Sequence, residues 1–316
     1  MTEICMTTAL LGLCAIPTLL WMVTYFGPIL VMNLLPVPDL KKKYNAEWAL
    51  VTGAGSGIGR ELVFKLARQG FNVVLVSLDD KFLAETMDLV TSQFPSQEFR
   101  KVGCLFAPGQ KYMKLIERKT ADIDVQCIFN NAGYLVTGFF DREASTKQLG
   151  NLECNTTAAV AVTHHFLGKL VDKKLKGCIV FTSSVAGYIP SPFSSVYGAT
   201  KAFLSQFACC IAVEAAPCGI DVCSVHPSPV NSNFYDKVHK IDMLEKAKAA
   251  AVTPDVLPDQ IFGAIGRVVL RDMGVFAIAI RLLVSIMSYN FLTQAFCAFA
   301  PTMPDFKKFG ADRLKK

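Results

Sequence analysis

The run Val51-Thr52-Gly53-Ala54-Gly55-Ser56-Gly57-Ile58-Gly59-Arg60 follows the apolar residues Trp48, Ala49 and Leu50 and leads into an amphipathic stretch over residues 61–69. A strand, a glycine turn and a helix in that order leave few folds open. Glycine carries no Cβ, so Gly53, Gly57 and Gly59 let the turn pass close to a pyrophosphate, while the amide groups at the next helix start face its negative charge. Ser56 and Ile58 belong to the same turn and to the same expected cradle. The architecture this predicts is α/β: a doubly wound parallel sheet of Rossmann type.

A second motif carries chemistry. Tyr197 and Lys201 stand one helical turn apart in Ser195-Val196-Tyr197-Gly198-Ala199-Thr200-Lys201, so both side chains are expected on one helix face. A phenol ordinarily loses its proton near pH ~10, and a neighbouring ammonium favours the phenolate. The pair is therefore expected to exchange a proton with a carbonyl or alcohol oxygen nearer neutrality. Ser184, after the apolar strand Cys178-Ile179-Val180-Phe181, is placed to donate to the same oxygen.

On these motifs the chain resembles the short-chain dehydrogenase/reductase family from about Trp48 to about Ser232. The family's Asn-Asn-Ala-Gly strand end is matched by Asn130-Asn131-Ala132-Gly133, its helix asparagine by Asn155, its serine by Ser184, and its Tyr-x-x-x-Lys pair by Tyr197 and Lys201. The resemblance implies Tyr197 as general acid/base and Ser184 as donor to the substrate oxygen. It implies that Lys201 holds the ribose and tunes Tyr197, and that Asn155 supports a proton-relay water. It further implies that Asn131, Ala132 and Gly133 border the dinucleotide, joined after the sixth strand by Pro227, Val230 and Ser232. Ser232 takes the place of the usual threonine near the nicotinamide amide.

The choice between NAD and NADP stays open. Where the family carries a ribose-binding acid or a phosphate-pairing arginine, this chain has Ser77 and Leu78. Asp79 and Asp80 would repel a 2′-phosphate, whereas Arg60 would attract one. The family's adenine-contacting aspartate has no counterpart in Val102-Gly103-Cys104-Leu105-Phe106.

The chain has 316 residues, 52% hydrophobic and 18% charged, enough for one large α/β core with apolar appendages. No charge interrupts residues 4–38, and Arg281 is the only one in residues 273–304. The first stretch exceeds the ~20 apolar residues that cross a bilayer, and residues 8–26 are the expected span. Lys41-Lys42-Lys43 directly after it places the catalytic domain on the cytosolic side by the positive-inside rule. The expected division is a membrane anchor over 1–38, a Rossmann-type catalytic domain over 39–270, and an apolar membrane-associated segment with a basic tail over 271–316. Arg281 at a bilayer centre costs about 2.5–3.5 kcal/mol, which favours a tilted or interfacial placement over a straight crossing. The tail residues Arg313, Lys315 and Lys316 suit either anionic headgroups or solvent.

The net charge of +6 gathers near the apolar ends, pointing to a membrane surface and not to nucleic acid. Eleven cysteines without a Cys-x-x-Cys fit a reducing compartment. His164, His165 and His226 lack ligand spacing, so no metal site is expected. The run Asp39-Leu40-Lys41-Lys42-Lys43-Tyr44-Asn45-Ala46-Glu47-Trp48 is similar to that of the membrane-bound 17β-hydroxysteroid dehydrogenase and very-long-chain 3-oxoacyl-CoA reductase group. This resemblance implies a membrane-anchored NAD- or NADP-dependent oxidoreductase of the endoplasmic reticulum that interconverts a carbonyl and a secondary alcohol on a lipid. Reduction of a 3-oxoacyl-CoA or a ketosteroid leads. The alternatives are an NAD-dependent steroid- or retinol-type alcohol dehydrogenase, and a non-catalytic lipid-surface scaffold of the same fold. Family members commonly pair as homodimers through the helices carrying Asn155 and Tyr197. Residues 237–248, charged and alanine-rich, fall where the family places its substrate lid; Tyr134 and Tyr188 either line the pocket or pack.

Overall fold

Short apolar strands alternate with helices along the whole middle of the chain. The computed structural model describes residues 2–236, 238–248 and 251–310. In chain order come α1 (Thr2–Leu34), α2 (Leu40–Tyr44), β1 (Trp48–Thr52), α3 (Gly57–Arg68), β2 (Asn72–Ser77), α4 (Lys81–Gln93), β3 (Phe99–Gly103), α5 (Tyr112–Lys119) and β4 (Val125–Asn130). There follow α6 (Ser145–Leu152), α7 (Ala158–Asp172), β5 (Gly177–Thr182), α8 (Ser195–Ala215), β6 (Ile220–Pro227) and α9 (Asp242–Lys248). The last elements are α10 (Leu257–Ala264), β7 (Leu270–Met273), α11 (Val275–Ile286), α12 (Tyr289–Phe299) and α13 (Pro304–Gly310).

The strands form one parallel sheet in the order β3-β2-β1-β4-β5-β6-β7. From β1 the chain first winds outward through β2 and β3, then crosses back to β4 and winds the other way. The crevice at the carboxyl ends of β1 and β4 is where such sheets receive ligands. Both faces of the inner strands are covered, so β1, β2, β4 and β5 are nearly continuous in apolar residues, whereas the edge strand β3 carries Arg100 and Lys101. Val51, Leu75 and Phe129 meet Leu62 of α3 and Phe262 of α10, while Leu50, Val74 and Ile128 meet Phe166 of α7 and Leu204 of α8. Phe129 stacks on Phe262 at 5.8 Å, and each such fully buried side chain stabilises the fold by about 1.5–3 kcal/mol. β7 carries the sheet to Met273, so residue 270, expected to close the catalytic domain, begins a strand.

Helix α1 has 33 residues, about 50 Å at ~1.5 Å per residue, against a hydrocarbon core of about 30 Å. Ala15–Leu34 has a mean hydropathy of 1.7, which makes it long and apolar enough to cross a membrane. The expected span, residues 8–26, shares residues 15–26 with it, and the carboxyl-terminal half of α1 also packs on the α/β domain. Trp21 stacks on Tyr25, and Ile29 and Met32 join the core beside α10. Their spacing puts Trp21, Tyr25, Ile29 and Met32 on one stripe. Ile16, Leu19, Leu20 and Val23 stay exposed. Ser195–Cys218 also passes the test of length and hydropathy, but it includes α8, which packs on β5 and β6 within the fold.

The carboxyl-terminal apolar stretch is not one straight crossing. α11 meets the helical stretch Tyr289–Thr302 at 108°. Arg281, expected to disfavour a crossing, turns inward to the buried carboxylate of Asp272, with Nε 3.1 Å from Oδ2. α13 folds back over the domain. Phe306 packs edge-on to Phe139 at 5.3 Å, Phe309 lies 6.2 Å from Phe193, and Asp305 Oδ1 accepts from the Asp242 amide at the start of α9 at 2.7 Å. Of the charged stretch 237–248, α9 covers Asp242–Lys248, and Lys237 lies outside the described residues, as do Arg313, Lys315 and Lys316.

Candidate active site

Three loops converge at the carboxyl ends of β1, β4 and β6. Gly53 adopts φ +67°, and a Cβ there would lie 2.9 Å from the Ala132 Cα. A Cβ on Gly59 would lie 2.0 Å from the Gly53 carbonyl oxygen and 2.6 Å from Asn131 Nδ2, a separation no side chain tolerates. The turn is thus folded tightly on itself and on the β4 loop. Thr52 Oγ1 accepts from the amides of Asn131 and Ala132, both at 3.0 Å, and Asn131 Nδ2 donates to Thr52 O at 3.2 Å. Ser232 closes the third side, its Cβ lying 3.3 Å from where a Gly57 Cβ would stand. Ser56 precedes α3, and Ile58 packs against the core from its first turn. Pro227 ends β6, and Val230 pairs with Val252. The twelve-residue α3 aims its amide end into this cradle, which fits a pyrophosphate.

Beyond the cradle stand the titratable groups. Ser184, two residues past the end of β5, lies beside the Tyr197 phenol and receives the Ala186 amide at 3.2 Å. Lys201 is 3% exposed; its Nζ donates to Thr182 O at 2.7 Å and sits 5.5 Å from the centroid of the Tyr197 ring. Asn155, fully buried, lies in a π-turn over Glu153–Thr157 between α6 and α7. Its Oδ1 accepts from the Tyr134 amide at 3.0 Å, and its Nδ2 donates to Tyr134 O at 3.1 Å and Thr200 Oγ1 at 3.2 Å. A Cβ on Gly133 would lie 3.2 Å from Asn155 Oδ1 and 3.4 Å from Lys201 Nζ, so the β4 loop, Asn155 and Lys201 form one junction. Such π-turns are frequent at functional sites.

The electrostatics differ from the expectation that the ammonium acidifies the phenol. Burial pushes the Tyr197 phenol above its usual value and repulsion from Tyr235 adds to this, while the Ser184 hydroxyl pulls the other way. Burial also lowers Lys201 from 10.5 to about 8. Desolvation decides both, because Lys201 Nζ faces the ring and the Thr182 carbonyl.

Around the adenosine end, the two acids expected to repel a phosphate are engaged. Asp79 pairs with Lys101 at 2.6 Å, and Asp80 caps α4 through the Leu83 amide at 3.1 Å. Arg60 lies over the Phe64 ring at 5.8 Å, and Leu78 is 48% exposed. Tyr134 lends its backbone to Asn155, and Tyr188 donates to Asp272 Oδ1 at 2.8 Å. A cavity of about 400 Å³ lies next to the loop after Ser184, between Ile189, Pro190 and Pro192 on one side and Phe296 and Met303 on the other. The larger cavity, about 640 Å³ beside Asp39, Gln69 and Asp122, opens at the amino ends of the strands, away from the site.

A glycine cradle at the switch point of a doubly wound sheet, beside a phenol, a serine and a buried amine, defines a nicotinamide-dependent oxidoreductase. The chain belongs to the short-chain dehydrogenase family, whose model matches residues 47–242. Very-long-chain 3-oxoacyl-CoA reductases are similar over most of its length. That of Coprinopsis cinerea is 32% identical over 79% of this chain and 73% of its own, and that of Laccaria bicolor 30% over 74% and 68%. Among solved structures, a 7β-hydroxysteroid dehydrogenase superposes with a TM-score of 0.72 at 21% identity, over 82% of this chain and 99% of that one. A short-chain dehydrogenase from Sphingobium yanoikuyae in complex with NADPH does so with a TM-score of 0.66 at 26% identity, over 76% and 93%. The chain is an NAD(P)-dependent oxidoreductase acting on a carbonyl or its alcohol.

Sequence reasoning missed two parts of the site. Thr52 joins the glycine turn to the β4 loop, and its hydroxyl at a strand end before glycine was the available signal. Phe234 lies 5.9 Å from the Tyr197 ring in the segment after β6, where no motif marks it.

Proposed function

We propose that this protein is a membrane-anchored reductase that converts a carbonyl on a lipid substrate to a secondary alcohol, with a 3-oxoacyl-CoA as the leading substrate class. The observation that carries the reading is the grouping of Tyr197, Ser184, Lys201 and Asn155 at the strand ends beside the glycine cradle, with Lys201 Nζ 5.5 Å from the Tyr197 ring. The dinucleotide, when bound, supplies the hydride. Tyr197 delivers the proton to the carbonyl oxygen, and Ser184 donates a second hydrogen bond that orients it. Lys201 would hold the ribose hydroxyls, Asn155 fixes the Tyr134 backbone, and Gly53, Ser56, Gly57, Ile58 and Gly59 would receive the pyrophosphate. Asn131, Ala132, Gly133, Pro227, Val230 and Ser232 enclose the nicotinamide end.

The lipid part of the reading is supported by the names of the similar reductases, by the apolar α1, and by the apolar cavity beside the Ser184 loop. The proposed setting is the endoplasmic reticulum with the catalytic domain toward the cytosol, consistent with Lys41, Lys42 and Lys43 directly after α1. Pairing of two copies through α7 and α8 belongs to the same reading, since Val171, Phe203 and Val213 stand exposed there.

Membranes containing the protein, given long-chain 3-oxoacyl-CoA, ketosteroid and retinoid panels with NADH or NADPH, are expected to reduce the 3-oxoacyl-CoA at least about tenfold faster than the ring substrates. Faster oxidation of a steroid or retinol with NAD would move the protein to the alcohol-dehydrogenase class, and no binding of either dinucleotide would leave the scaffold. Because Lys201 is lowered to about 8, kcat/KM is expected to fall as pH rises through about 8, where the ammonium is lost. The folded protein binds fewer protons than the unfolded chain between about 8 and 10.5, so this group's contribution to stability rises with pH across that window. A pH–rate profile and thermal melts over the same range check both signs.

A further inference from the structure

Asp272, on β7, has a side chain only 2% exposed, yet four groups from four parts of the chain converge on it. Tyr25 of α1 donates to Oδ2 at 2.9 Å, Tyr188 donates to Oδ1 at 2.8 Å and Arg281 Nε donates to Oδ2 at 3.1 Å, while His226 Nδ1 lies 3.4 Å from Oδ1 without a hydrogen bond. The Tyr188 hydroxyl also accepts from Arg281 NH2 at 2.6 Å, and the guanidinium lies 3.9 Å from the centroid of the Tyr188 ring. None of these groups belongs to the cradle or to the reacting set. Two arms nevertheless run from them into the catalytic groups.

The first arm is the loop after β5. Tyr188 closes the 3₁₀ turn over Val185–Gly187 that begins at Ser184, with its own amide on Val185 O at 3.0 Å. Fixing the Tyr188 ring fixes the far end of a turn whose near end holds the Ser184 hydroxyl. The second arm is the β6–α8 contact. His226, fully buried, meets Ser205 Oγ through Nε2 at 2.8 Å, and Ser205 Oγ in turn lies 3.0 Å from Lys201 O and 2.9 Å from Ser183 Oγ. Ser183 Oγ also donates to Lys201 O at 2.6 Å. The backbone of the amine-bearing turn is thus linked to the imidazole that packs against the same carboxylate.

We propose that Asp272 is a positioning residue, through which the docked anchor helix α1 helps to set the Ser184 loop and the Lys201 turn. The inference rests on the assignment of Ser184 and Lys201 made above. A purely structural ion pair would need only Asp272 and Arg281. The inclusion of Tyr25 from the anchor, and of Tyr188 and His226 on the two catalytic elements, is what joins membrane docking to site geometry. Taking a carboxylate and a guanidinium out of water costs several kcal/mol per ion unless all their lone pairs and N–H groups are engaged, and here three donors share the two oxygens.

The test uses the full chain in lipid nanodiscs, with Tyr25→Phe, Asp272→Asn and, as a control on the lipid-exposed stripe, Leu19→Ala. Misplacing catalytic groups by fractions of an ångström slows reactions steeply, so Asp272→Asn is expected to lower kcat about tenfold and Tyr25→Phe about threefold, with KM and dinucleotide affinity unchanged within about twofold. Both variants should speed hydrogen exchange in residues 184–192 and 199–205, and Leu19→Ala should do neither. Exchange is read without substrate, so it decides the inference even if no 3-oxoacyl-CoA is turned over, an outcome that strikes the substrate assignment alone. Variants that melt at a lower temperature but keep the wild-type kcat and exchange in those segments overturn it. Should Asp272→Asn not fold, Tyr25→Phe, which removes one hydroxyl from a partly buried residue, carries the test.

Discussion

Replacing Tyr197 by phenylalanine is expected to lower turnover by about 10²–10⁴-fold while dinucleotide affinity stays within about twofold, the range typical of a lost general acid. The substitution removes one oxygen and little else. Its ring keeps the neighbourhood of Phe234, 5.9 Å away, and the Ser184 hydroxyl keeps the Ala186 amide as a partner. Nothing in the glycine cradle depends on that oxygen, so binding and chemistry separate cleanly. Single-turnover reduction of a 3-oxoacyl-CoA, together with a titration of NADPH or NADH fluorescence, reads the two quantities. A variant keeping more than a few per cent of wild-type turnover rejects the role given to Tyr197.

The second large effect belongs to Gly59. A methyl group there meets the Gly53 carbonyl at 2.0 Å and Asn131 Nδ2 at 2.6 Å, and neither can retreat without opening the turn. Such overpacking costs about 1–3 kcal/mol, or roughly 2–4 °C in Tm per kcal/mol for a domain of this size. The same strain displaces the amides that would face a pyrophosphate, so Gly59→Ala should weaken the dinucleotide by about tenfold or more. Gly168 on the exposed face of α7 has nothing within 4 Å of its absent Cβ. Gly168→Ala is therefore the matched control, expected to raise stability by about 0.5–1 kcal/mol and to leave binding alone. Melting curves and fluorescence titrations of both variants, side by side, separate a cradle defect from a general one.

The sheet was legible because strands buried on both faces leave nearly unbroken apolar runs, and because the glycine turn marks the first crossover. Leu50, Val74, Ile128 and Ile179 announce their strands without help from any neighbour. The junction of Ser184, Tyr197, Lys201 and Asn155 was legible as a set because each lies at a motif end. Its electrostatics were not. Spacing puts an ammonium one turn from a phenol, but only the packing reveals that Lys201 Nζ points to the Thr182 carbonyl and that desolvation governs both groups. Arg281 read as an awkward charge in an apolar run, since its partner Asp272 sits across the turn from β7 to α11. No local pattern can connect either of them to Tyr25, which lies 247 positions from Asp272. The bend between α11 and α12, and the return of Phe306 and Phe309 over Phe139 and Phe193, depend likewise on surfaces that distant segments build.

The separation between Tyr25 and Asp272 fixes the order of events during synthesis. A ribosome adding ~5–20 residues per second needs roughly 10–50 s to travel from one to the other. Throughout that interval the helix is already made and its acceptor does not exist, so the nascent domain matures on a tether that has not latched. Latching is available only to a chain translated through β7, which carries the acceptor carboxylate. A chain stopped before β7 leaves the Tyr25 hydroxyl without that acceptor.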